Sequence, residues 1–334
     1  MSSGLTMLAA VMPAAGRIEV DEFPIPKPGE HEALVRMHTA AICGSDIHVL
    51  YDGFAREDAF GRPGYPGHEG VGEIVESNST HYIQGMRVLT VPPGWYGGCF
   101  AEYQVVHERW LLPLPDGDDE QRQLMAQQLG TTIFGMRHFW TGAGGGVAAV
   151  IGAGSAGLFF LQQLVNIGFE KVVVSDLEPT RLEIARSLGA FDVVDGGSAS
   201  IVEATLAASD NNGADLVIEA VGLDHTRELA IECVRKWGRV GFFGYPERYG
   251  PAPFPTERAF RKAVQINFMV DTAFEPGLRS FAEAIEVVHN GTIDVDYLLN
   301  ERFSLEEINA AFEHAHGRRR GSVKIRVDLH RRSS

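Results

Sequence analysis

The 334-residue sequence has few cysteines, an excess of acidic over basic residues, and no long apolar run. Its three cysteines, Cys43, Cys99 and Cys233, are too few for a disulfide framework, which indicates a reducing, cytoplasmic environment. Lys and Arg total 29 against 44 Asp and Glu, so the formal net charge of −15 argues against a nucleic-acid partner. No apolar segment approaches the roughly 20 residues of a membrane helix. The start lacks a basic stretch followed by an apolar core, so we expect neither a membrane span nor a secretory signal.

The first third of the chain is β-rich, and the pattern changes near residue 120. Short segments between Gly- and Pro-rich turns predict a barrel or sandwich with strands at 5–12, 17–23, 33–42, 70–79, 86–91 and 100–106. After a predicted helix at 118–140, apolar strands alternate with helices, which favours a buried parallel sheet. The strands of that sheet are predicted at 147–151, 171–176, 192–194, 215–221 and 238–244. Helices at 279–291 and 304–317 precede a closing strand at 322–329.

A glycine-rich loop follows the first strand of the predicted parallel sheet. Gly152, Gly154 and Gly157 form GxGxxG between that strand and a predicted helix at 155–168. The next strand ends at Asp176, which is 176 − 157 = 19 residues beyond the last glycine. This is the full dinucleotide-binding fingerprint, with the pyrophosphate expected at the helix N-terminus. Because Asp176 can accept both ribose hydroxyls and repels a 2′-phosphate, we predict NAD, with NADP less favoured.

Further cofactor contacts are predicted around this loop. Ser155 and Ala156 complete the loop itself. Arg181 keeps an NADP alternative open, although it is also typical of a solvated helix face. Three residues near the ends of later strands are candidate nicotinamide contacts: Val221, Phe243 and Met269.

Two short segments concentrate the residues that carry metal chemistry. CGSDIH at 43–48 and PGHEG at 66–70 contain a thiol, two imidazoles and two carboxylates. Thiolate and imidazole are good ligands for zinc. A hydroxyl and a second imidazole, two and five residues after the cysteine, can carry a proton away from the metal. The pattern predicts a zinc site that polarises an alcohol or carbonyl oxygen.

With CGSDIH at 43–48, GHEGVG at 67–72, FAEY at 100–103 and GAGSAG at 152–157, the chain resembles the zinc-dependent medium-chain alcohol and polyol dehydrogenases over nearly its whole length. The resemblance implies an α/β chain with two domains. A GroES-like β-rich catalytic domain, residues 1–129 and 273–334, is interrupted by a Rossmann NAD-binding domain, residues 130–272. The resemblance also implies a pyridine-nucleotide cofactor and a small-molecule alcohol or carbonyl substrate. Relatives are dimers or tetramers, so a homo-oligomer is expected.

The resemblance also assigns roles to the residues of the two short segments. Cys43 and His68 correspond to the first two zinc ligands, and Glu69 to a nearby carboxylate that can exchange onto the metal. Asp46 corresponds to the partner that orients the ligating histidine. The proton relay corresponds to Ser45 and His48.

The chain departs from the family pattern at two places. The third protein ligand, often Cys or Glu, falls on Gln127, with Gln128 as the one-residue slip, and an amide is a poorer zinc ligand than a thiolate. The four-cysteine structural zinc lobe is missing, since only Cys99 lies between Gly85 and Phe100. We therefore expect one catalytic zinc per chain and no structural zinc.

Several candidates also have a purely structural interpretation. Cys43, Cys99 and Cys233 suit buried packing positions, and His48 and Gln127 suit solvated ones. Aromatic residues that either line a substrate pocket or pack in the core are Phe54, Trp95 and Tyr96. The run Arg318–Arg320 is either a solvated loop or a contact to cofactor phosphate or a neighbouring subunit.

Two other functions remain open from the sequence. One is a zinc-free NAD(P)H-dependent reductase of the same fold that acts on enones or quinones. The other is a non-catalytic dinucleotide-binding protein. The zinc-dependent oxidoreductase is favoured because Cys43, His68, Glu69 and Asp176 occur together.

Overall fold

The computed structural model describes residues 5–317 and 322–329. The run Arg318–Arg320 lies outside these residues. The chain divides into two compact units, one made of Met1–Gly130 with Asp271–Ser334 and the other of Thr131–Val270. Among the described residues, no helix combines the length and apolar character needed to cross a membrane.

The helices and strands are numbered in chain order. The first part of the chain contains β1 Thr6–Ala14, β2 Arg17–Pro24, β3 Glu32–Ile42, α1 Gly44–Tyr51, β4 Glu69–Ser77, β5 Arg87–Thr90, β6 Tyr103–His107, β7 Leu111–Pro113, α2 Glu120–Leu124 and α3 Ala126–Phe139. The middle part contains β8 Val147–Ile151, α4 Ser155–Asn166, β9 Lys171–Asp176, α5 Pro179–Ser187, β10 Asp192–Asp195, α6 Ile201–Ala208, β11 Ala214–Glu219, α7 Asp224–Cys233, β12 Val234–Phe242, α8 Thr256–Lys262 and β13 Gln265–Phe268. The last part contains α9 Arg279–His289, β14 Glu301–Ser304, α10 Ile308–His316 and β15 Ile325–Asp328.

The first unit is built around a seven-stranded sheet. Its strand order is β14-β15-β3-β4-β5-β7, with β6 also paired to β3, and β1 and β2 form a separate hairpin. The long strand β3 lies in the middle of this sheet, where most of its residues are buried, including Val35 and Met37, and it pairs antiparallel with β4, β6 and β15. The core continues through Phe100 and Phe312, whose rings meet edge to face at 5.6 Å. The predicted β-rich GroES-like architecture is confirmed.

The second unit is a six-stranded parallel sheet in the order β10-β9-β8-β11-β12-β13. Counted from β8, this is the Rossmann order 3-2-1-4-5-6, in which the strand order reverses between β8 and β11. The strands are continuous apolar runs because both faces are covered, and Val150, Val173 and Val217 have no exposed surface. The predicted Rossmann sheet is confirmed, and its ligand crevice is expected at the carboxyl ends of β8 and β11.

Several short elements depart from the sequence-based expectation. The predicted helix 118–140 is divided at Met125 into α2 and α3, and Asp119 caps α2 by accepting a hydrogen bond from the Gln121 N–H. The short helix α1 after Cys43, and the elements β7, α8, β13 and β14, were not predicted. Each is too short to show a hydrophobic period of its own, so tertiary pairing decides its conformation.

Candidate functional site

Strand pairing brings the two metal-binding segments together. In the antiparallel register of β3 and β4, Ala41 lies opposite Glu69. Cys43 follows the end of β3, and His68 precedes the start of β4, so both lie at the same end of the sheet. One ligand atom each of Cys43, His68 and Glu69 lies within 4.8 Å of the others. Zn–S and Zn–N bonds are about 2.3 and 2.0 Å long, so one ion can be shared by atoms at this spacing.

Asp46 holds the two segments in place. Its Oδ2 accepts a hydrogen bond from the Cys43 N–H at 2.9 Å, and its Oδ1 lies 3.0 Å from His68 Nδ1. Asp46 is only 1% exposed, in the first turn of α1. With Nδ1 facing this carboxylate, Nε2 is the nitrogen available to a metal. From this geometry we propose that Asp46 orients His68, the role that the sequence predicts for it.

The charges around His68 raise its pKa well above the ordinary value. Burial lowers the pKa, but the neighbouring carboxylate of Asp46 and the contact with Cys43 outweigh that effect. A metal must therefore displace a proton from His68 when it binds, which makes metal uptake weaker at lower pH.

Lys324 is a site residue that the sequence analysis missed. It immediately precedes β15, which pairs with β3 so that Ile325 lies opposite Ile42. Its Nζ lies 2.6 Å from Glu69 Oε2 in an ion pair whose angles fall outside hydrogen-bond geometry, and both side chains are at most 3% exposed. Burial lowers the pKa of Lys324, but the negative charges of Glu69 and Cys43 raise it by more. The pKa of Lys324 is therefore above the ordinary value for lysine. No local signal in the sequence indicates this role, because the closing strand SVKIRVDL at 322–329 alternates polar and apolar residues and a lysine fits that pattern.

The donor set fits a divalent cation. With the thiolate form of Cys43 and the carboxylates of Asp46 and Glu69, the cluster has three negative charges, and Lys324 offsets one of them. The remaining two would be neutralised by an ion such as Zn²⁺, for which thiolate, imidazole and carboxylate are suitable ligands. Within the described part of the chain, this is the only group of three His, Cys, Asp or Glu side chains close enough to hold a metal.

Gln127 and Cys99 lie in the same unit as this cluster. Gln127 is 4% exposed in the first turn of α3, so the solvated alternative for it is wrong. Cys99 is fully buried in the core, with its Sγ donating to the Glu69 carbonyl at 3.4 Å. Burial raises the pKa of Cys99 well above its usual value, so it stays a protonated thiol. Cys233 is likewise buried, in the core of the second unit, as the packing interpretation predicts.

The proton-relay candidates lie on α1. Ser45 and His48 are three residues apart on this helix and both are partly buried. His48 Nδ1 lies 2.7 Å from Asp52 Oδ2, and the ring of Phe54 is tilted against it at 5.7 Å. Phe54 is buried, whereas the other two pocket candidates, Trp95 and Tyr96, are partly exposed.

The glycine-rich loop has the geometry that its three glycines predict. Gly152 has φ +96°, and it begins the turn after β8. A Cβ on Gly154 would meet nothing within 4 Å, which leaves the start of α4 open to a ligand. A Cβ on Gly157 would lie 1.8 Å from the Gly152 carbonyl oxygen, so helix and loop pack backbone to backbone. Ser155 and Ala156 form the first turn of α4, where N–H groups favour a phosphate.

Asp176 ends β9 beside this loop. Its two carboxylate oxygens accept hydrogen bonds from the Ala153 N–H at 2.7 Å and the Glu178 N–H at 2.9 Å. The Arg181 guanidinium lies 3.9 Å from Asp176, with its side chain 19% exposed. Arg181 is therefore mostly buried rather than part of a solvated helix face.

The three candidate nicotinamide contacts follow the ends of neighbouring strands. Val221 follows β11, Phe243 follows β12, and Met269 follows β13. The Phe243 ring packs edge to face on Phe160 of α4 at 4.9 Å. The structure places all three at the carboxyl edge of the sheet, where a dinucleotide is expected.

Replacing Asp46 with alanine tests the arrangement of the metal cluster. We expect zinc affinity to fall by about 10- to 100-fold, because partners that orient ligands contribute effects of that size. Competition with a chromogenic chelator measures the affinity. The matched control is Asp58→Ala, which removes an exposed carboxylate paired with Arg56 and should leave zinc affinity unchanged. Equal affinities in the two variants would contradict the role of Asp46.

Comparison with known proteins places these features in one family. Two family models match: "Alcohol dehydrogenase GroES-like domain" over residues 29–116 and "Zinc-binding dehydrogenase" over residues 156–289. The Mycobacterium tuberculosis protein named "Probable zinc-binding alcohol dehydrogenase Rv1895" is 30% identical over 355 residues, covering 97% of this chain and 88% of that protein. Sorbitol dehydrogenase of Bacillus subtilis (strain 168) is 24% identical over 348 residues, covering 96% and 97%. A zinc-binding dehydrogenase structure from Sinorhizobium meliloti 1021, bound to NADP, has a TM-score of 0.86 at 24% identity, covering 97% and 99%.

A GroES-like unit with a Cys–His–Glu cluster, joined to a Rossmann sheet with a complete glycine loop, defines a nucleotide-dependent oxidoreductase that acts on CH–OH groups. The chain belongs to the zinc-dependent medium-chain dehydrogenase/reductase family, together with alcohol and polyol dehydrogenases. The resemblance inferred from its motifs is confirmed. Its substrate is accordingly a small-molecule alcohol or carbonyl compound.

Proposed function

We propose that the protein is a zinc-dependent oxidoreductase that transfers hydride between a secondary alcohol, polyol or sugar, or the matching carbonyl compound, and NAD. The observation that supports this most directly is the convergence of Cys43, His68 and Glu69 within 4.8 Å. Glu69 together with a non-cysteine third position, Gln127, favours polyol-type over ethanol-type substrates. The similarity to a sorbitol dehydrogenase points in the same direction.

The proposed cofactor is NAD because of the carboxylate at the end of β9. Asp176 is oriented by two backbone N–H groups and can accept ribose hydroxyls through its remaining lone pairs. A 2′-phosphate would meet this carboxylate at close range. Arg181 is the nearby cation that would favour NADP, and at 3.9 Å from Asp176 it is already paired with an acid.

Cys43 and His68, with Gln127 as the candidate third protein ligand, would hold the zinc, and Glu69 is the nearby carboxylate that could exchange onto it. When bound, zinc lowers the pKa of the substrate hydroxyl and NAD provides the hydride acceptor. Ser45 Oγ would accept the proton of the substrate hydroxyl while releasing its own proton toward His48, and His48 would pass a proton on to solvent. Asp52, 2.7 Å from His48 Nδ1, stabilises the protonated imidazole. Lys324 keeps the Glu69 carboxylate in position, and Asp46 keeps the His68 imidazole in position.

Replacing Ser45 with alanine tests the proton-transfer step. We expect kcat to fall by about 100-fold or more, since a positioned acid or base contributes roughly 10²- to 10⁴-fold. Zinc content and thermal stability should stay near wild type, because Ser45 is partly exposed and is not a proposed ligand. Ser45→Thr retains the hydroxyl and should recover most of the loss. A Ser45→Ala variant with full turnover would remove this residue from the mechanism.

The function itself is tested by a screen of secondary alcohols, polyols, sugars and primary alcohols with NAD and with NADP. We expect turnover with NAD on members of the first three classes, and loss of that turnover after removal of zinc with a chelator. Turnover that survives complete removal of zinc, with reduction of enones or quinones by NADPH, would overturn the proposal in favour of the zinc-free reductase. NADH binding without turnover on any alcohol, despite bound zinc, would favour a non-catalytic dinucleotide-binding protein.

A further inference from the structure

Glu219 is a fully buried acid at the last position of β11. It lies opposite Ile151 of β8 and Phe242 of β12, in the middle of the parallel sheet. Burial raises the pKa of its carboxyl, and the N–H groups of Gly222 and Val221 oppose that effect. Burying a carboxyl group in an apolar sheet is costly unless hydrogen bonds compensate. Packing alone therefore does not explain why a glutamate occupies position 219.

The side chain of Glu219 organises the turn that follows β11. Its Oε1 accepts hydrogen bonds from the Val221 N–H at 2.8 Å and the Gly222 N–H at 2.8 Å. The Thr226 hydroxyl, in the first turn of α7, lies 2.9 Å from the same oxygen and 2.8 Å from the Leu223 carbonyl, so these two acceptors share its single proton. These contacts to one carboxylate oxygen restrict the conformation of the turn. The backbone of Val221 is therefore fixed in position relative to the end of β11.

The main chain of Glu219 organises a second turn, the one that follows β12. Its carbonyl oxygen accepts from the Phe243 N–H at 2.9 Å and the Gly244 N–H at 3.0 Å. The two turns then touch through their backbones, because a Cβ on Gly244 would lie 2.1 Å from the Gly222 nitrogen. One residue thus fixes both turns.

The first of these turns also contacts the glycine-rich loop. A Cβ on Gly152 would lie 2.6 Å from Val221 Cγ2, and the Ala220 N–H donates to the Ile151 carbonyl at 2.9 Å. Loop and turn meet where the strand order reverses between β8 and β11, which is where a Rossmann sheet binds its ligand. Movement of the turn would therefore alter the surface offered to the dinucleotide.

We propose that Glu219 is a positioning residue for the dinucleotide. It fixes the backbone of the turns after β11 and β12 in the conformation that binds the cofactor. Glu219 does not itself touch the cofactor in this role. The inference rests on the proposed function in one respect, namely that the second unit binds NAD(H).

The test compares Glu219→Ala, Glu219→Gln and wild type by NADH fluorescence titration and by steady-state kinetics. We expect the dissociation constant for NADH and the KM for NAD to rise at least tenfold in Glu219→Ala, with kcat at saturating NAD within about threefold of wild type. Glu219→Gln keeps an oxygen acceptor and should recover most of the affinity. Thr226→Val removes one donor and leaves the carboxylate. It should raise the dissociation constant for NADH by a smaller factor than Glu219→Ala does.

The chain offers a matched control at the opposite end of the same strand. Asp215 also accepts two backbone bonds, from the N–H groups of Gly146 and Val147 at 3.0 Å, but far from the glycine loop along β11. Asp215→Ala should lower the melting temperature to a similar extent as Glu219→Ala while leaving NADH affinity within twofold. Equal effects of the two variants on affinity would overturn the inference and reduce Glu219 to a structural role.

The design also separates this inference from the proposed function. Wild-type protein that binds no NADH would contradict the proposed function. Wild-type protein that binds NADH, with unchanged affinity in Glu219→Ala and in Thr226→Val, would contradict only the role of Glu219. If Glu219→Ala fails to fold, the NADH affinities of Glu219→Gln and Thr226→Val test the role of Glu219 instead. Wild-type NADH affinity in both variants would overturn the inference.

Discussion

We expect Cys43→Ala to lose its bound zinc and at least about a thousandfold in kcat/KM. Three decades in rate correspond to about 4 kcal/mol of transition-state stabilisation, which is the scale expected for a metal that polarises a reacting oxygen. In the proposed site Cys43 is the sulfur ligand, and the other candidate ligands are an imidazole, a carboxylate and an amide. Removing the softest ligand leaves a much weaker site for zinc. Zinc per chain, measured by atomic emission on protein prepared without chelator, should fall from about one to near zero.

The matched control is the second cysteine near the cluster. Cys99→Ala also removes a sulfur from this end of the first unit, since Cys99 Sγ lies 3.4 Å from the Glu69 carbonyl. Its thiol stays protonated because burial raises its pKa, so we expect this variant to keep its zinc and to lose only some stability. Zinc retained in Cys43→Ala, or lost in Cys99→Ala at a temperature where the protein is folded, would contradict the assignment.

The second large effect is expected from Lys324→Met. This change leaves Glu69 buried without its cation, and breaking one side of a buried ion pair costs about 3–5 kcal/mol. Lys324 and Glu69 fit that case because both side chains are at most 3% exposed and their charged atoms lie 2.6 Å apart. Chemical denaturation at a fixed zinc concentration should show a clearly lower midpoint for the variant.

A double-mutant cycle separates the pair from general packing. Glu69→Gln in the Lys324→Met background removes the unpaired charge, so the double variant should be more stable than Lys324→Met alone. Arg302→Met on the neighbouring strand β14 is the surface control, because Arg302 is 53% exposed and 3.8 Å from Asp328. It should cost at most about 1 kcal/mol. A Lys324→Met variant as stable as Arg302→Met would show that the pair contributes little.

The contrast between Gly157 and Lys324 shows which features local sequence can predict. The glycine loop was predictable because strand, loop, helix and Asp176 all lie within one short segment with a distinctive spacing. Cys43 and His68 were predictable from their motifs, although their proximity depends on the β3–β4 register. Lys324 pairs with Glu69 only because β15 lies beside β3, and no local pattern reports a contact between such distant segments. Glu219 was missed for a different reason: its donors Gly222 and Thr226 lie within seven residues of it, but no spacing pattern in the sequence indicates that an acid at the end of an apolar strand accepts from the turn that follows.

The first unit is assembled from the two ends of the chain, and this has a consequence for biosynthesis. Cys43 and Glu69 are made early, but β15 and Lys324 are made after the whole second unit. At about 5–20 residues per second, the ribosome needs roughly 15–55 s to travel from codon 43 to codon 324. During that interval the nascent chain has its sulfur and imidazole ligands without the strand that completes the cluster. The ion pair between Lys324 and Glu69 can therefore form only after this interval, when the closing strand has been made.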